Sequence, residues 1–200
     1  TATTEISTLS LHDALPILPI LDQLARSYAD RGSKLIGVEA LFLYPLNALI
    51  QSQRDRLNAW TKSFDDGVRY CLYNGLTPQN LPQWQRDQHR NEVADRETLR
   101  AAPPPLLVTN ATMLEYMLVR AQDAPILEQS QGSLKWIVLD EAHTYVGSQA
   151  AELALLLRRV LHAFGVTSDQ VRFVATSATI GASEAEEQLR EFLARVAGLS

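Results

Sequence analysis

Short apolar runs alternate along the chain with longer segments in which apolar positions recur at helical spacing. The runs are rich in β-branched or aromatic residues and are bounded by turn residues: Val38–Tyr44, Val68–Tyr73, Leu106–Thr109, Trp136–Leu139 and Val171–Ala175. This composition is typical of strands that are buried on both faces, as in a parallel sheet. The pattern therefore predicts five parallel strands.

Helical spacing predicts the segments Leu18–Tyr28, Leu46–Trp60, Asn110–Arg120, Ser148–Phe164 and Ser183–Ala197. Asn110 and Ser183 are good N-cap residues, and Gly165 is suited to a helix C-terminus. The segment Ser148–Phe164 is apolar nearly all round, so we expect a mostly buried crossover helix there.

This alternation predicts an α/β fold, an open parallel sheet with helices on both faces. Ligands of such sheets bind at the carboxyl ends of the strands. The residues expected at that edge, the rim, are Pro45, Thr109, Asn110, Asp140, Glu141 and Thr176 to Thr179.

Composition sets few limits on function. The chain has 200 residues, 46% of them hydrophobic, and a formal net charge of −5, so a nucleic-acid surface would have to be local. The single Cys71 lies in an apolar run and is interpreted as a packed, reduced thiol. No apolar run approaches the ~18 residues of a membrane span. We expect a cytoplasmic protein with no membrane partner.

The segment 80–100 departs from this rhythm because it is strongly charged and has little apolar surface. We interpret it as a surface insertion with helical pieces. Arginines recur in it at i, i+4 spacing, at Arg86 and Arg90 and again at Arg96 and Arg100. A solvated face with acidic partners of its own is favoured over a nucleic-acid contact.

The run Trp136–Leu139 ends in Asp140 and Glu141, which is a costly place for charge unless something binds there. At a strand end, such a pair can orient Mg²⁺ on nucleotide phosphates and position the attacking water. The alternative is an acid pair that only begins the following helix. The hydroxyl residues Ser177 and Thr179 after the next strand favour the nucleotide interpretation, because they can sense a γ-phosphate.

The motifs DEAH (140–143) and SAT (177–179) resemble motifs II and III of superfamily 2 helicases. YPLNALIQSQ (44–53) and TNATML (109–114) look like motifs Ia and Ib, and YNGLT (73–77) is similar to an element found between them. DEAHTYVGSQAAELALLLRR further resembles a branch of large DNA helicases that includes MrfA-like repair enzymes and phage-defence helicases. The resemblance covers about residues 18–200 and implies the first RecA-like, P-loop NTPase-type domain.

The resemblance also implies roles for individual residues. Asp140 and Glu141 would be catalytic, with Asp140 holding Mg²⁺ through ATP. His143, Ser177, Ala178 and Thr179 would couple the nucleotide to movement. The subfamily resemblance implies DNA as the nucleic acid, and contacts to its sugar-phosphate backbone would come from Pro45, Asn47, Gln51, Thr109, Asn110 and Thr112. Asn110 or Thr109 would otherwise merely cap the helix, and both roles are compatible. A second RecA-like domain would be a further partner.

The phosphate loop G-x-x-x-x-G-K-[ST] does not occur in these 200 residues. Its expected place is just before the helix at Leu18, where residues 1–17 read TATTEISTLSLHDALPI. This leader contains no glycine and resembles a translated sequencing adaptor. We therefore expect it to be non-native and irregular, the domain to be incomplete at its N-terminus, and the isolated chain to be inactive in ATP hydrolysis and unwinding.

Three functions fit these features. The first is a truncated motor domain of an ATP-dependent helicase or translocase. The second is a non-catalytic nucleic-acid-binding module that kept the RecA-like fold. The third is the motor subunit of a restriction or defence system that translocates without separating strands.

Overall fold

The computed structural model describes residues 7–10, 17–45, 47–145, 148–177, 191 and 194; it leaves out the side chains of 7–10, 48–49, 51, 143 and 177. These residues form a six-stranded parallel sheet with strand order β1-β6-β5-β2-β4-β3. The strands are β1 (Ser7–Ser10), β2 (Ala40–Leu43), β3 (Tyr70–Leu72), β4 (Leu106–Thr109), β5 (Trp136–Leu139) and β6 (Arg172–Ser177). The α-helices are α1 (Ile17–Arg31), α2 (Asn47–Ser52), α3 (Arg54–Thr61), α4 (Gln83–Arg86), α5 (Arg96–Ala101), α6 (Ala111–Val119), α7 (Ala124–Glu128) and α8 (Ser148–Ala163).

The sheet is buried on both faces, as its apolar strands require. Side chains alternate between faces along each strand, so Leu41 and Leu43 belong to a core cluster with α6, α7 and α8. Ala40 and Phe42 belong to a second cluster with α1, α2 and α3. The predicted α/β sheet with helices on both faces is confirmed, as are all five predicted strands.

The N-terminal leader differs from its prediction. Ser7–Ser10 forms a strand that pairs in parallel with Val174–Ser177 at the edge of the sheet, so residues 1–17 are not irregular throughout. Helix α1 begins at Ile17, which is 5% exposed and joins the second core cluster. The segment STLS contains a single β-branched residue and two serines, so the sequence pattern gave little sign of this strand.

Three predicted helices also need comment. The segment 46–60 is broken at Gln53 into α2 and α3. Helix α8 was predicted to be mostly buried, which is wrong: one face is buried, whereas Leu155 on the other is 60% exposed. The predicted helix Ser183–Ala197 lies outside the described residues except Glu191 and Ala194, which are helical.

The charged insertion 80–100 pairs its arginines with groups of the chain itself. Arg86 Nε lies 2.9 Å from Asp95 Oδ2, Arg90 Nη1 3.0 Å from Asp65 Oδ2 and Arg100 Nε 2.8 Å from Asp123 Oδ1. Arg96 donates hydrogen bonds to the carbonyl oxygens of Thr77 and Asn74. The predicted acidic partners are therefore found for Arg86, Arg90 and Arg100, whereas Arg96 bonds to carbonyl oxygens, and Arg100 is largely buried rather than solvated. Among the described residues, no helix is long and apolar enough to cross a membrane.

Candidate nucleotide and nucleic-acid site

The strand register brings the predicted site residues to one edge of the sheet. Leu139 at the end of β5 pairs with Leu43 of β2 on one side and Ala175 of β6 on the other. Leu43 also pairs with Thr109 of β4. Asp140 therefore follows its strand beside Tyr44 and Thr176, and its amide donates to the Leu43 carbonyl oxygen at 2.9 Å.

The acid pair is held by the neighbouring strand. The Thr176 hydroxyl donates to Asp140 Oδ1 at 2.5 Å, and the Glu141 amide donates to the same hydroxyl oxygen at 3.3 Å. One threonine side chain thus contacts both acidic residues.

Glu141 has a left-handed backbone, with φ 51° and ψ 45°. This conformation costs an L-residue roughly 1–2 kcal/mol. Its carbonyl oxygen accepts bonds from the Thr144 amide and hydroxyl, at 2.9 Å and 2.8 Å, which close the tight turn after the strand. Strained backbone of this kind is concentrated at functional sites.

The residues predicted to couple the nucleotide to movement are only partly described. Ser177 is the last residue of β6, two residues after the Ala175 that pairs with Leu139. The side chains of His143 and Ser177, and the whole of Ala178 and Thr179, lie outside the described residues. The hydrogen bond expected from His143 towards the SAT motif stays a prediction.

Asn110 joins the two segments expected to contact nucleic acid. Its Oδ1 accepts the Met113 amide at 2.8 Å, which caps α6, and its Nδ2 donates to Asn47 Oδ1 at 2.6 Å. Asn110 therefore caps α6 and remains partly exposed at the rim, and its contact to nucleic acid stays a prediction. The contact between Asn47 and Asn110 fixes the start of α2 against the start of α6.

Thr109 is placed differently from its prediction. Its side chain is 0% exposed, and its hydroxyl donates to the Tyr73 carbonyl oxygen at 2.7 Å. This hydroxyl is buried and already bonded, so it is not presented to a phosphate, whereas a contact to nucleic acid through the Thr109 backbone stays a prediction. Thr109 instead supports the position of Asn110.

A groove of about 730 Å³ opens between these segments, and we call it the Asn47–Asn110 groove. Its lining includes Pro45, Asn47, Asn110, Thr112, Tyr145 and Gln149. The backbone of Gln51 lies in α2, but its side chain is not described. The described lining residues also include Glu115 and Glu152, with no lysine or arginine among them. Contacts to a nucleic acid here would therefore come from amides and hydroxyls.

Tyr145 is a groove residue that sequence reasoning gave no chemical role. Its hydroxyl is buried and has no hydrogen-bond partner among the described residues. Burial, with a smaller effect from the negative charge of Asp140, raises the pKa of Tyr145 to about 12. Tyr145 thus links the surroundings of the acid pair to the groove. Only its proximity to DEAH gave a sign of this in the sequence.

A buried polar network of Tyr73, Asp123 and Arg100 lies next to the strand ends that precede the Asn47–Asn110 groove. The Tyr73 hydroxyl donates to Asp123 Oδ2 at 2.9 Å, and Arg100 Nε donates to Asp123 Oδ1 at 2.8 Å. Burial and the charge of Asp123 raise the pKa of Tyr73 to about 12. Since the Tyr73 carbonyl oxygen receives the Thr109 hydroxyl, this network fixes the two strand ends that precede the groove.

A parallel α/β sheet with an acid pair at the end of a central strand and Thr176 on the next strand is the arrangement predicted for the nucleotide-binding domain of a helicase. The family model for the DEAD/DEAH box helicase matches residues 14–188. The chain therefore belongs to the DEAD/DEAH box helicase family.

Two curated proteins are similar to this chain. It is 30% identical over 195 residues to the Druantia protein DruE of Escherichia coli (strain UMEA 4076-1), covering 92% of the chain and 10% of DruE. It is 30% identical over 176 residues to the uncharacterized ATP-dependent helicase YprA of Bacillus subtilis (strain 168), covering 86% of the chain and 20% of YprA. The chain thus spans a fifth or less of the length of these relatives.

Solved structures share the fold. The DUF1998 helicase MrfA matches with a TM-score of 0.59 and 25% identity, over 92% of this chain and 26% of MrfA. MrfA bound to DNA and AMPPNP matches with a TM-score of 0.62 and 24% identity, over 96% of this chain and 23% of MrfA. The predicted RecA-like fold is confirmed by these neighbours.

Proposed function

We propose that this chain is part of the motor domain of an ATP-dependent DNA helicase or translocase, in which Asp140 and Glu141 act on the nucleotide. The observation that carries this proposal is the arrangement at the rim. Thr176 holds both acidic residues, and the Asn47–Asn110 contact lies at the ends of β2 and β4 on the same edge. The same edge of the sheet thus carries side chains proposed to act on the nucleotide and side chains proposed to contact the nucleic acid.

The acid pair fits Mg²⁺ bound to a nucleotide. No cluster of three metal-ligating side chains occurs among the residues described. Mg²⁺ commonly binds one or two carboxylates together with substrate phosphates and water, so a single Asp140 is a suitable protein ligand. When bound, the ion would neutralise charge on the phosphates. Glu141 would orient the attacking water and accept its proton.

We assign no residues of this chain to binding the β- and γ-phosphates, because the 200 residues contain no G-x-x-x-x-G-K-[ST] loop. The strand β1 followed by helix α1 has the strand–helix order that such a loop joins. The connecting residues 11–16 contain no glycine. We therefore assign metal and water positioning to this chain, and no phosphate cradle.

The Asn47–Asn110 groove is the proposed contact for the sugar-phosphate backbone of a single strand. Backbone amides at the start of α6, together with Asn47, Asn110 and Thr112, supply donors that do not distinguish base sequence. This suits a motor that must move along any sequence. The choice of DNA over RNA rests on the DNA-bound MrfA structures.

The test uses the full-length protein that contains this chain. Purified protein is assayed for Mg²⁺-dependent ATP hydrolysis with and without single-stranded DNA, and Glu141→Gln is compared with wild type. We expect turnover in wild type and a loss of at least about a hundredfold in Glu141→Gln, which keeps the side-chain volume but removes the base. Equal turnover in the two proteins would contradict the assignment of Glu141.

Assays of DNA binding, triplex displacement and duplex unwinding on the same protein separate the alternative functions. DNA binding without turnover in wild type would support a non-catalytic binding module. Turnover with displacement of a third strand from a triplex, but without separation of a duplex, would support a translocase of a restriction or defence system.

A further inference from the structure

Thr176 stands between the two motifs that the proposed function uses, but it belongs to neither of them. It follows Ala175, the β6 partner of Leu139, and it precedes Ser177 of the SAT motif. Its hydroxyl is the donor to Asp140 Oδ1 and the acceptor for the Glu141 amide. The chemistry of the acid pair therefore depends on a neighbour on another strand.

The two bonds have different consequences. The bond to Asp140 Oδ1 fixes the plane of the carboxylate, because a donor bound to one oxygen restricts rotation about the last side-chain bond. The bond from the Glu141 amide supports the residue with the left-handed backbone, with φ 51°. Valine has the same branched shape as threonine and can make neither bond.

We propose that Thr176 is a positioning residue that sets the orientation of the Asp140 carboxylate and the Glu141 backbone for Mg²⁺ and the attacking water. This inference rests on the proposed function. Since Thr176 is joined directly to Ser177, a shift of the SAT motif would move the hydroxyl that donates to Asp140 Oδ1. Thr176 then transmits such a shift to the metal ligand.

The experiment measures nucleotide binding rather than turnover. The full-length protein, as wild type, Thr176→Val, Thr176→Ala and Thr176→Ser, is titrated with a fluorescent non-hydrolysable ATP analogue in Mg²⁺ and again in EDTA. The ratio of the two dissociation constants reports how well the site uses the ion. Melting temperatures are recorded for each variant, so loss of folding is seen separately.

We expect Thr176→Val and Thr176→Ala to bind the nucleotide about tenfold more weakly with Mg²⁺, a loss equal to about one hydrogen bond to a charged group. In EDTA the loss of affinity should be less than about twofold. Thr176→Ser should stay within about threefold of wild type, because it keeps the hydroxyl. An unchanged ratio in both hydroxyl-free variants would overturn the proposal. So would a loss in Thr176→Ser equal to that in Thr176→Val, which would point to packing.

The matched control is Thr61→Val. Thr61 is 0% exposed, donates to the Leu57 carbonyl oxygen at 2.8 Å and accepts from Asn91 Nδ2 at 2.8 Å, so it also loses two bonds. It lies at the end of α3, outside the rim. We expect a lower melting temperature with an unchanged Mg²⁺ ratio. The same change of ratio as in Thr176→Val would assign the effect to general destabilisation and overturn the proposal.

No Mg²⁺ enhancement of nucleotide binding in wild type would refute the proposed function, and this inference with it.

Discussion

Removing the Asp123 carboxylate tests whether the buried network below the groove stabilises the two strand ends. Asp123 is 0% exposed and accepts bonds from the Tyr73 hydroxyl and Arg100 Nε. The Arg100 side chain is itself only 14% exposed. Asp123→Ala leaves a buried guanidinium without its partner and a buried hydroxyl without its acceptor.

The expected loss can be worked from these contacts. Breaking a buried ion pair by removing one partner costs about 3–5 kcal/mol. Tyr73→Phe removes one bond to a charged acceptor and should cost about 1.5–3 kcal/mol. The exposed control is Arg90→Ala, whose pair with Asp65 has side chains 57% and 60% exposed, and it should cost less than about 1 kcal/mol.

The assay is urea unfolding at pH 7 followed by circular dichroism. The unfolding free energies of wild type and the three variants are compared with a common m value, the slope of free energy against urea concentration. The expected order of lost stability is Asp123→Ala, then Tyr73→Phe, then Arg90→Ala. A loss below about 1 kcal/mol in Asp123→Ala, the range of an exposed pair, would refute the reasoning that this network is a buried support.

Three further predictions concern single groups. Asn110→Ala should cost about 1 kcal/mol in urea unfolding through loss of the α6 cap, whereas Asn110→Asp should retain most of the stability. Gly165→Ala should lower stability by about 1 kcal/mol, because φ at this position is +63°, and a melting curve measures it. The pKa values of Tyr73 and Tyr145 are raised to about 12 from 10.0, so the stability from these groups is fully present below pH 10 and is lost as pH rises towards 12. Unfolding measured between pH 9 and 12 should show this loss, and it should be smaller in Tyr73→Phe and Tyr145→Phe.

The sheet was predictable because buried parallel strands leave a strong pattern. Runs such as Trp136–Leu139 are apolar without interruption, and the structure makes them central strands. Asp140 and Asn110 were placed at the rim for the same reason, since each directly follows such a run. The break at Gln53 was not predictable, because its residues keep helical spacing on both sides.

The parts that could not be predicted depend on contacts between distant segments. Thr109 and Asn110 are adjacent hydroxyl and amide residues in the sequence, and only the neighbouring Tyr73 carbonyl oxygen shows that Thr109 is the buried one. Thr176 was placed at the rim without a role, because its bond to Asp140 joins residues 36 positions apart. The exposed face of α8 was missed since Leu155 is apolar but lies outside the core.

The most direct measurement is the rate of ATP hydrolysis by the full-length protein as a function of single-stranded DNA concentration, for wild type, Asn47→Ala and Glu141→Gln. DNA should stimulate hydrolysis in wild type. Asn47→Ala should raise the DNA concentration for half-maximal stimulation by several-fold, because it loses roughly one hydrogen bond to the DNA. The maximal rate should be retained. Glu141→Gln should bind DNA as wild type does but lose at least about a hundredfold in turnover. Hydrolysis that does not respond to DNA, or turnover in Glu141→Gln equal to that of wild type, would contradict the central claim.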